Sequence, residues 1–179
     1  MNFKETKLKG VYLIELEKNK DERGFFARSF CRNEFYSHGI KFNIAQCSIS
    51  FNKTKGILRG MHYQPSPYEE AKLVSCIKGK IYDVVLDLRK GSATYCKWQA
   101  LELSEKSYQI LYIPKGLAHG FQTLENNSAV YYQISEFYHP ECARGIRWDD
   151  PLFSIKWPLK LKMISAKDKT YPLFKKNIL

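Results

Sequence analysis

The stretch Leu73-Val74-Ser75-Cys76-Ile77-Lys78-Gly79-Lys80-Ile81-Tyr82-Asp83-Val84-Val85-Leu86-Asp87-Leu88 decides the fold class. Two runs rich in β-branched and aliphatic residues flank Lys78-Gly79. Glycine tolerates the positive φ of a tight turn, so the segment reads as two strands joined by a hairpin turn. Side chains alternate along a strand, which places Ile81, Asp83, Val85 and Asp87 on one face and Tyr82, Val84 and Leu86 on the other. A carboxylate among β-branched side chains is costly to bury without a partner. Either that face lines a polar barrel interior or the acids sit near the strand's ends.

Similar short runs continue on both sides: Val11 to Leu16, Gly24 to Phe30, Gln46 to Phe51, Ile57 to Gln64, Trp98 to Leu103, Ile110 to Ile113, Gly120 to Leu124 and Ala129 to Ser135. Asn126-Asn127 reads as a second hairpin turn. This spacing predicts an all-β sandwich or barrel. Helix is expected only over Arg32 to His38 and, briefly, near Ser165 to Asp168. With 179 residues and no repeat, low-complexity segment or linker, the chain is expected to form one domain over residues 1–179. A chain of that size buries about two-thirds of its unfolded surface.

Composition narrows the function classes. Hydrophobic residues make up 44% and aromatics 15%, which excludes a disordered chain. No apolar run approaches the roughly 20 residues of a membrane span, and Met1-Asn2-Phe3-Lys4-Glu5 opens on charges, so no membrane association and a cytoplasmic location are expected. Five cysteines, an odd count without C-x-x-C spacing, argue against a disulfide framework and a zinc site. The formal charge of +11, from 29 Lys plus Arg against 18 Asp plus Glu, suits anionic partners or a solvated, solubilising surface. No helix-turn-helix, zinc-finger or ribonucleoprotein motif accompanies it, so nucleic acid is not the expected partner.

Two segments bear on chemistry: Gly56-Ile57-Leu58-Arg59-Gly60-Met61-His62-Tyr63-Gln64 and Pro114-Lys115-Gly116-Leu117-Ala118-His119-Gly120. They resemble the two motifs of the cupin superfamily, which implies a jelly-roll β-barrel with a few short helices. Metal-binding cupins need a second histidine where this chain has Gln64, and an amide is a poor substitute for imidazole in a transition-metal shell. No metal and no other cofactor is therefore expected. An unligated imidazole is available as a base near neutral pH. Arg59, Lys72 and several tyrosines lie close by in sequence, and a base, a cation and a weak acid are what proton abstraction beside a carbonyl requires. Read alone, such a histidine is a hydrogen-bonded core residue more often than a catalyst.

Over nearly the whole chain, in unbroken order, the sequence resembles the dTDP-4-dehydrorhamnose 3,5-epimerase family. The segments that carry this are Asp21-Glu22-Arg23-Gly24-Phe25-Phe26, Lys55 to Gln64, Asp83-Val84-Val85-Leu86-Asp87-Leu88-Arg89 and Ile113 to Phe121. Tyr138-His139-Pro140-Glu141, Arg147-Trp148-Asp149-Asp150-Pro151 and Ser165-Ala166-Lys167-Asp168 continue it. The resemblance implies an epimerase that inverts C3 and/or C5 of a nucleotide-linked 4-keto-6-deoxy sugar, and a homodimer. It makes His62 the base, Asp168 the carboxylate behind it, Tyr132 the acid on the opposite face of the sugar, and Lys72 the cation at the enolate. It places Arg23, Arg59, His119 and Lys167 at the phosphates or sugar, Gln46 and Ser48 in the segment that holds the nucleotide, and Tyr138 against the base. From the residues alone, Asp168 reads as a charge in a Lys-rich tail, and strand alternation sends either Tyr131 or Tyr132 inward but not both. Alternation also sets Arg59 opposite His62, which a bulge near Gly60 or a site shared with a second subunit would resolve.

Departures fall on the nucleotide side. Arg28 and Ala143 stand where the best-known members carry acids, and Gln46-Cys47-Ser48-Ile49-Ser50 replaces a Gln-x-Asn segment. These leave open a C3-only epimerase, a CDP- or GDP-linked substrate, or a non-catalytic sugar-nucleotide binder. Presence of both His62 and Tyr132 counts against the last.

Overall fold

The computed structural model describes residues 1–175. Ten strands coincide with the ten expected runs: β2 (Tyr12–Glu15), β4 (Gly24–Ala27), β5 (Gln46–Asn52), β6 (Leu58–Tyr63), β7 (Lys72–Lys78), β8 (Lys80–Asp87), β9 (Trp98–Ser104), β10 (Ile110–Ile113), β11 (Leu117–Thr123) and β12 (Ser128–Ile134). β1 (Asn2–Glu5), β3 (Lys18–Asp21) and the two-residue β13 (Arg144–Gly145) were not expected. β3 is wholly polar and carries no alternation to read. Among the described residues the helices are α1 (Arg32–Ser37) and α2 (Ala166–Lys169).

The strands form a six-stranded sheet, β1-β2-β10-β7-β12-β5, and a five-stranded sheet, β13-β6-β11-β8-β9, with β3-β4 as a separate ribbon. All strand pairs are antiparallel. From β5 to β8 the chain passes from one sheet to the other at every step, and again from β9 through β12, which makes a jelly-roll barrel. Lys78-Gly79 and Asn126-Asn127 are therefore not hairpin turns. Each joins strands of different sheets, β7 to β8 and β11 to β12. The backbone demand is unchanged, since Gly79 has φ +70° and Asn127 φ +55°, so turn chemistry alone does not tell a corner from a hairpin.

Between the sheets lies a core of Val74, Cys76, Ile81, Val85, Leu111, Phe121 and Val130. α1 covers part of the outer face of the six-stranded sheet, packing Phe35 with Ile40 and Phe42 against Leu73, Ile110 and Tyr112. The outer face of the five-stranded sheet is covered by Ile146, Phe153 and Ile155, which pack on Met61, Val84 and Leu86. Both faces of β8 are thus buried, and the alternation read from its sequence holds on each.

Asp83 and Asp87 divide the two alternatives between them. Asp83 lies mid-strand, fully buried on the interior face; Asp87 ends the strand. Asp87 Oδ1 accepts from the Arg89 amide at 3.0 Å and from Arg89 Nε at 2.9 Å, while Oδ2 accepts from Ser92 Oγ and Thr94 Oγ1, each at 2.6 Å. Burial raises its pKa, but these bonds outweigh burial and hold it at about 2. A depressed carboxylate stabilises the fold above its unfolded pKa of about 3.9 and loses that contribution as pH falls through its folded value. Asp87→Asn is therefore expected to cost about 2 kcal/mol at pH 7. In urea unfolding the gap from wild type should close between pH 4 and pH 2, and a gap independent of pH would refute the assignment.

Candidate active site

The pairing of β6 with β11 sets the geometry. His119 faces His62 and Phe121 faces Arg59, so two residues advance on β11 while three advance on β6. This is a bulge at Gly60-Met61, and it turns Arg59 and His62 toward the same cavity. Only glycine fits there: Gly60 has φ +126°, and a Cβ would lie 2.5 Å from Gly120 Cα.

The cavity, about 740 Å³, opens between the two sheets. His62 and Arg59 line it from the five-stranded sheet; Lys72 and Tyr132 line it from the six-stranded sheet. Of the other residues the resemblance named, Gln46, Ser48, His119, Tyr138, Lys167 and Asp168 also line it, as does Ala143. Tyr132 rather than Tyr131 faces inward, packed against the core beside Val130.

Asp168 reaches the cavity from α2. The segment before the helix is tied to β6 by Leu58 N–H donating to the Met163 carbonyl at 2.9 Å, and Ser165 Oγ caps the helix by accepting from the Asp168 amide at 3.0 Å. The Nε2–H of His62 donates to Asp168 Oδ1 at 2.7 Å, and Asp168 Oδ2 accepts from the Gly60 amide at 3.2 Å. Burial raises the Asp168 pKa, but the bonds and charge of His62 with the Gly60 amide bring it below the usual carboxylate range. An ionised carboxylate on Nε2 fixes the tautomer and leaves the Nδ1 lone pair free.

A second histidine–aspartate pair borders the same cavity. His119 Nε2 lies 2.8 Å from Asp83 Oδ2, while Asp83 Oδ1 is buried without a hydrogen-bond partner among the described residues, and burial raises this carboxyl's pKa. The two pairs differ in access. The His62 side chain is 42% exposed and the His119 side chain 4%, so His62 is the imidazole a ligand meets. Tyr132 stands edge-on to His119, with ring centroids 5.9 Å apart. Burial first, then the Asp83 charge, drives the Tyr132 phenol far above its ordinary range; Arg59 offsets this in part. The phenol keeps its proton at neutral pH.

The residues expected to bind substrate are held by short bonds. Arg59 Nε donates to the buried Asn52 Oδ1 at 2.7 Å, which aims the guanidinium. Gln46 Oε1 accepts from the Tyr138 amide at 3.1 Å, linking two expected nucleotide contacts. Gln64 is fully engaged by backbone, donating to the carbonyls of Tyr68 and Phe137 and accepting from the His139 amide at 2.7 Å. At this position the amide ties two loops to β6.

Two residues lie elsewhere. Arg23, at the turn of the β3-β4 ribbon, is 90% exposed and pairs with Asp21 at 2.6 Å, away from the cavity of its own chain. Arg28 pairs with Glu34 at 3.3 Å and likewise does not line it. Conversely, Glu70, Arg144 and Tyr171 line the cavity unforeseen. Glu70 had a legible signal, because it lies two residues before Lys72 and shares its face. Arg144 and Tyr171 had none, since each sits in irregular or two-residue structure.

The model of the dTDP-4-dehydrorhamnose 3,5-epimerase family matches residues 5–176. The dTDP-4-dehydrorhamnose 3,5-epimerase of Methanothermobacter thermautotrophicus is 40% identical over 178 residues, covering 98% of this chain and 95% of that one. Among solved structures, the Bacillus anthracis enzyme with TDP and pyrophosphate bound has a TM-score of 0.93 at 35% identity, covering 97% of this chain and 99% of its own. The Legionella pneumophila enzyme in complex with dTDP-4-keto-L-rhamnose has a TM-score of 0.88 at 37% identity, covering 95% and 90%. Agreement in sequence and fold over nearly the whole chain, around a cavity that sets a histidine–aspartate pair opposite a half-buried tyrosine, leaves one conclusion: the chain belongs to the dTDP-4-dehydrorhamnose 3,5-epimerase family.

Proposed function

We propose that this chain is a single-domain, cytoplasmic, homodimeric isomerase that epimerises a dTDP-linked 4-keto-6-deoxy sugar without metal or other cofactor. The carrying observation is the placement of His62–Asp168 and Tyr132 on facing walls of one cavity. His62 Nδ1 takes the proton from C5, and the electron pair moves into the C4 carbonyl to give an enolate. Lys72 and the cationic wall stabilise the oxygen where this charge develops. Tyr132 returns a proton to C5 from the other face. Imidazolium and phenolate then reset through water, and the same cycle at C3 completes the second inversion. Arg59 and Lys167 suit the pyrophosphate, for which a guanidinium offers two donors at once.

Dimer formation is supported by two features. Ile49, Phe51 and Ile77, each 49% exposed or more, point outward from the uncovered part of the six-stranded sheet. Arg23 lies outside its own chain's cavity, where a partner's cavity can receive it.

The test is NMR in deuterated water with dTDP-, CDP- and GDP-4-keto-6-deoxyglucose, in excess chelator. Deuterium is expected at C5 and C3 with inversion, fastest on the dTDP sugar. Loss of exchange on chelation would overturn the metal-free reading, and a faster CDP or GDP sugar would overturn the assignment of the base.

A further inference from the structure

Lys72 opens β7 with its ammonium buried; its side chain is 8% exposed. A buried ammonium needs a partner, and here it is Glu70, whose Oε1 lies 2.9 Å from Lys72 Nζ and whose side chain is 12% exposed. The backbone fixes this pair. Ala71 lies between them, its amide donating to Ser135 Oγ at 2.8 Å and its carbonyl accepting from the Ser135 amide at 3.0 Å. Ala71 thus faces the α1 cluster while Glu70 and Lys72 both face the cavity. Asp83 also acts on Lys72 through its charge, but its carboxylate is bonded to His119. Arg59, His62 and Tyr132 face the same space.

We infer that Glu70 is a positioning residue that holds the Lys72 ammonium toward the C4 oxygen of the substrate. The inference rests on the epimerase reading. An ammonium on a four-carbon stem has many rotamers, and only a narrow set places Nζ against the enolate oxygen. The carboxylate 2.9 Å away selects among them before substrate enters.

Rates of deuterium exchange into the dTDP-4-keto sugar are to be measured for Glu70→Ala, Glu70→Gln, Lys72→Ala and the Glu70→Ala/Lys72→Ala pair. Glu70→Ala should lower kcat about 10- to 100-fold, the scale of a small misplacement of a catalytic group, with KM changed by less than about threefold. Glu70→Gln keeps an acceptor oxygen in place and should recover most of the rate. The double variant should be no slower than Lys72→Ala, because Glu70 acts only through that lysine. Wild-type exchange in Glu70→Ala, a KM rising in step with the loss, Glu70→Gln as slow as Glu70→Ala, or additive losses in the double variant would each overturn the inference. Wild-type protein that exchanges no deuterium would instead remove the epimerase reading and this inference with it.

Discussion

His62→Ala is expected to slow exchange of the sugar's C3 and C5 hydrogens with deuterated solvent by at least about a thousandfold, within the range for loss of a positioned general base. Nucleotide-sugar affinity should change only a few fold, since Arg59 and Lys167 are the proposed phosphate contacts. The contrast with His119 gives this prediction its force, because two histidine–aspartate pairs border one cavity. Asp168 is held ionised by the Gly60 amide and His62, so it favours the imidazolium that forms as a proton arrives. Asp83 meets the opposite balance, since burial raises its pKa, and among the described residues one of its oxygens has no hydrogen-bond partner. His119, almost wholly enclosed, has no comparable route to a sugar carbon. His119→Ala should therefore retain measurable exchange while weakening binding. Should His119→Ala abolish exchange and His62→Ala spare it, the base has been assigned to the wrong pair.

What the sequence made legible follows physical locality. Strand alternation located the faces of β8 and sent one of Tyr131 and Tyr132 inward, because period two is a local property, but which of the two came from the family resemblance. Turn residues told where the chain bends but not which strand it meets next, so Lys78-Gly79 and Asn126-Asn127 read as hairpins when they are corners between sheets. Arg59 and His62 looked incompatible until the bulge at Gly60-Met61 brought them to one side; an extra residue in one strand is visible only in the register of its partner. Asp168 lies 106 residues from His62, and nothing local in a Lys-rich tail distinguishes it. Its role followed from the family resemblance, and its place from the cap and backbone bonds that bring α2 against β6. Arg23 shows the opposite limit, since its family role was named but its own chain does not bring it to the cavity.

Tyr132→Phe is expected to separate the two halves of the reaction. The base remains, so His62 still removes the C5 proton and solvent deuterium still enters the substrate, returned on the face from which it left. The opposite face loses its donor, and net inversion should fall about 100- to 1,000-fold, the usual contribution of a positioned acid. The diagnostic quantity is the ratio of deuterium incorporated without inversion to product formed, which should rise steeply above wild type. The environment of the phenol supports this division of labour. Burial and the Asp83 charge keep Tyr132 protonated, so it is loaded for donation and a poor base. Arg59, the cation that offsets those effects, moderates the cost of the phenolate left behind. Removing one hydroxyl from a cavity wall disturbs packing little, so thermal stability should stay near wild type and a loss of inversion would be chemical in origin. Tyr131→Phe, altering the outward face of the same strand, should leave inversion intact. Inversion lost in Tyr131→Phe and kept in Tyr132→Phe would place the acid on the wrong face of β12 and overturn the facing-wall mechanism.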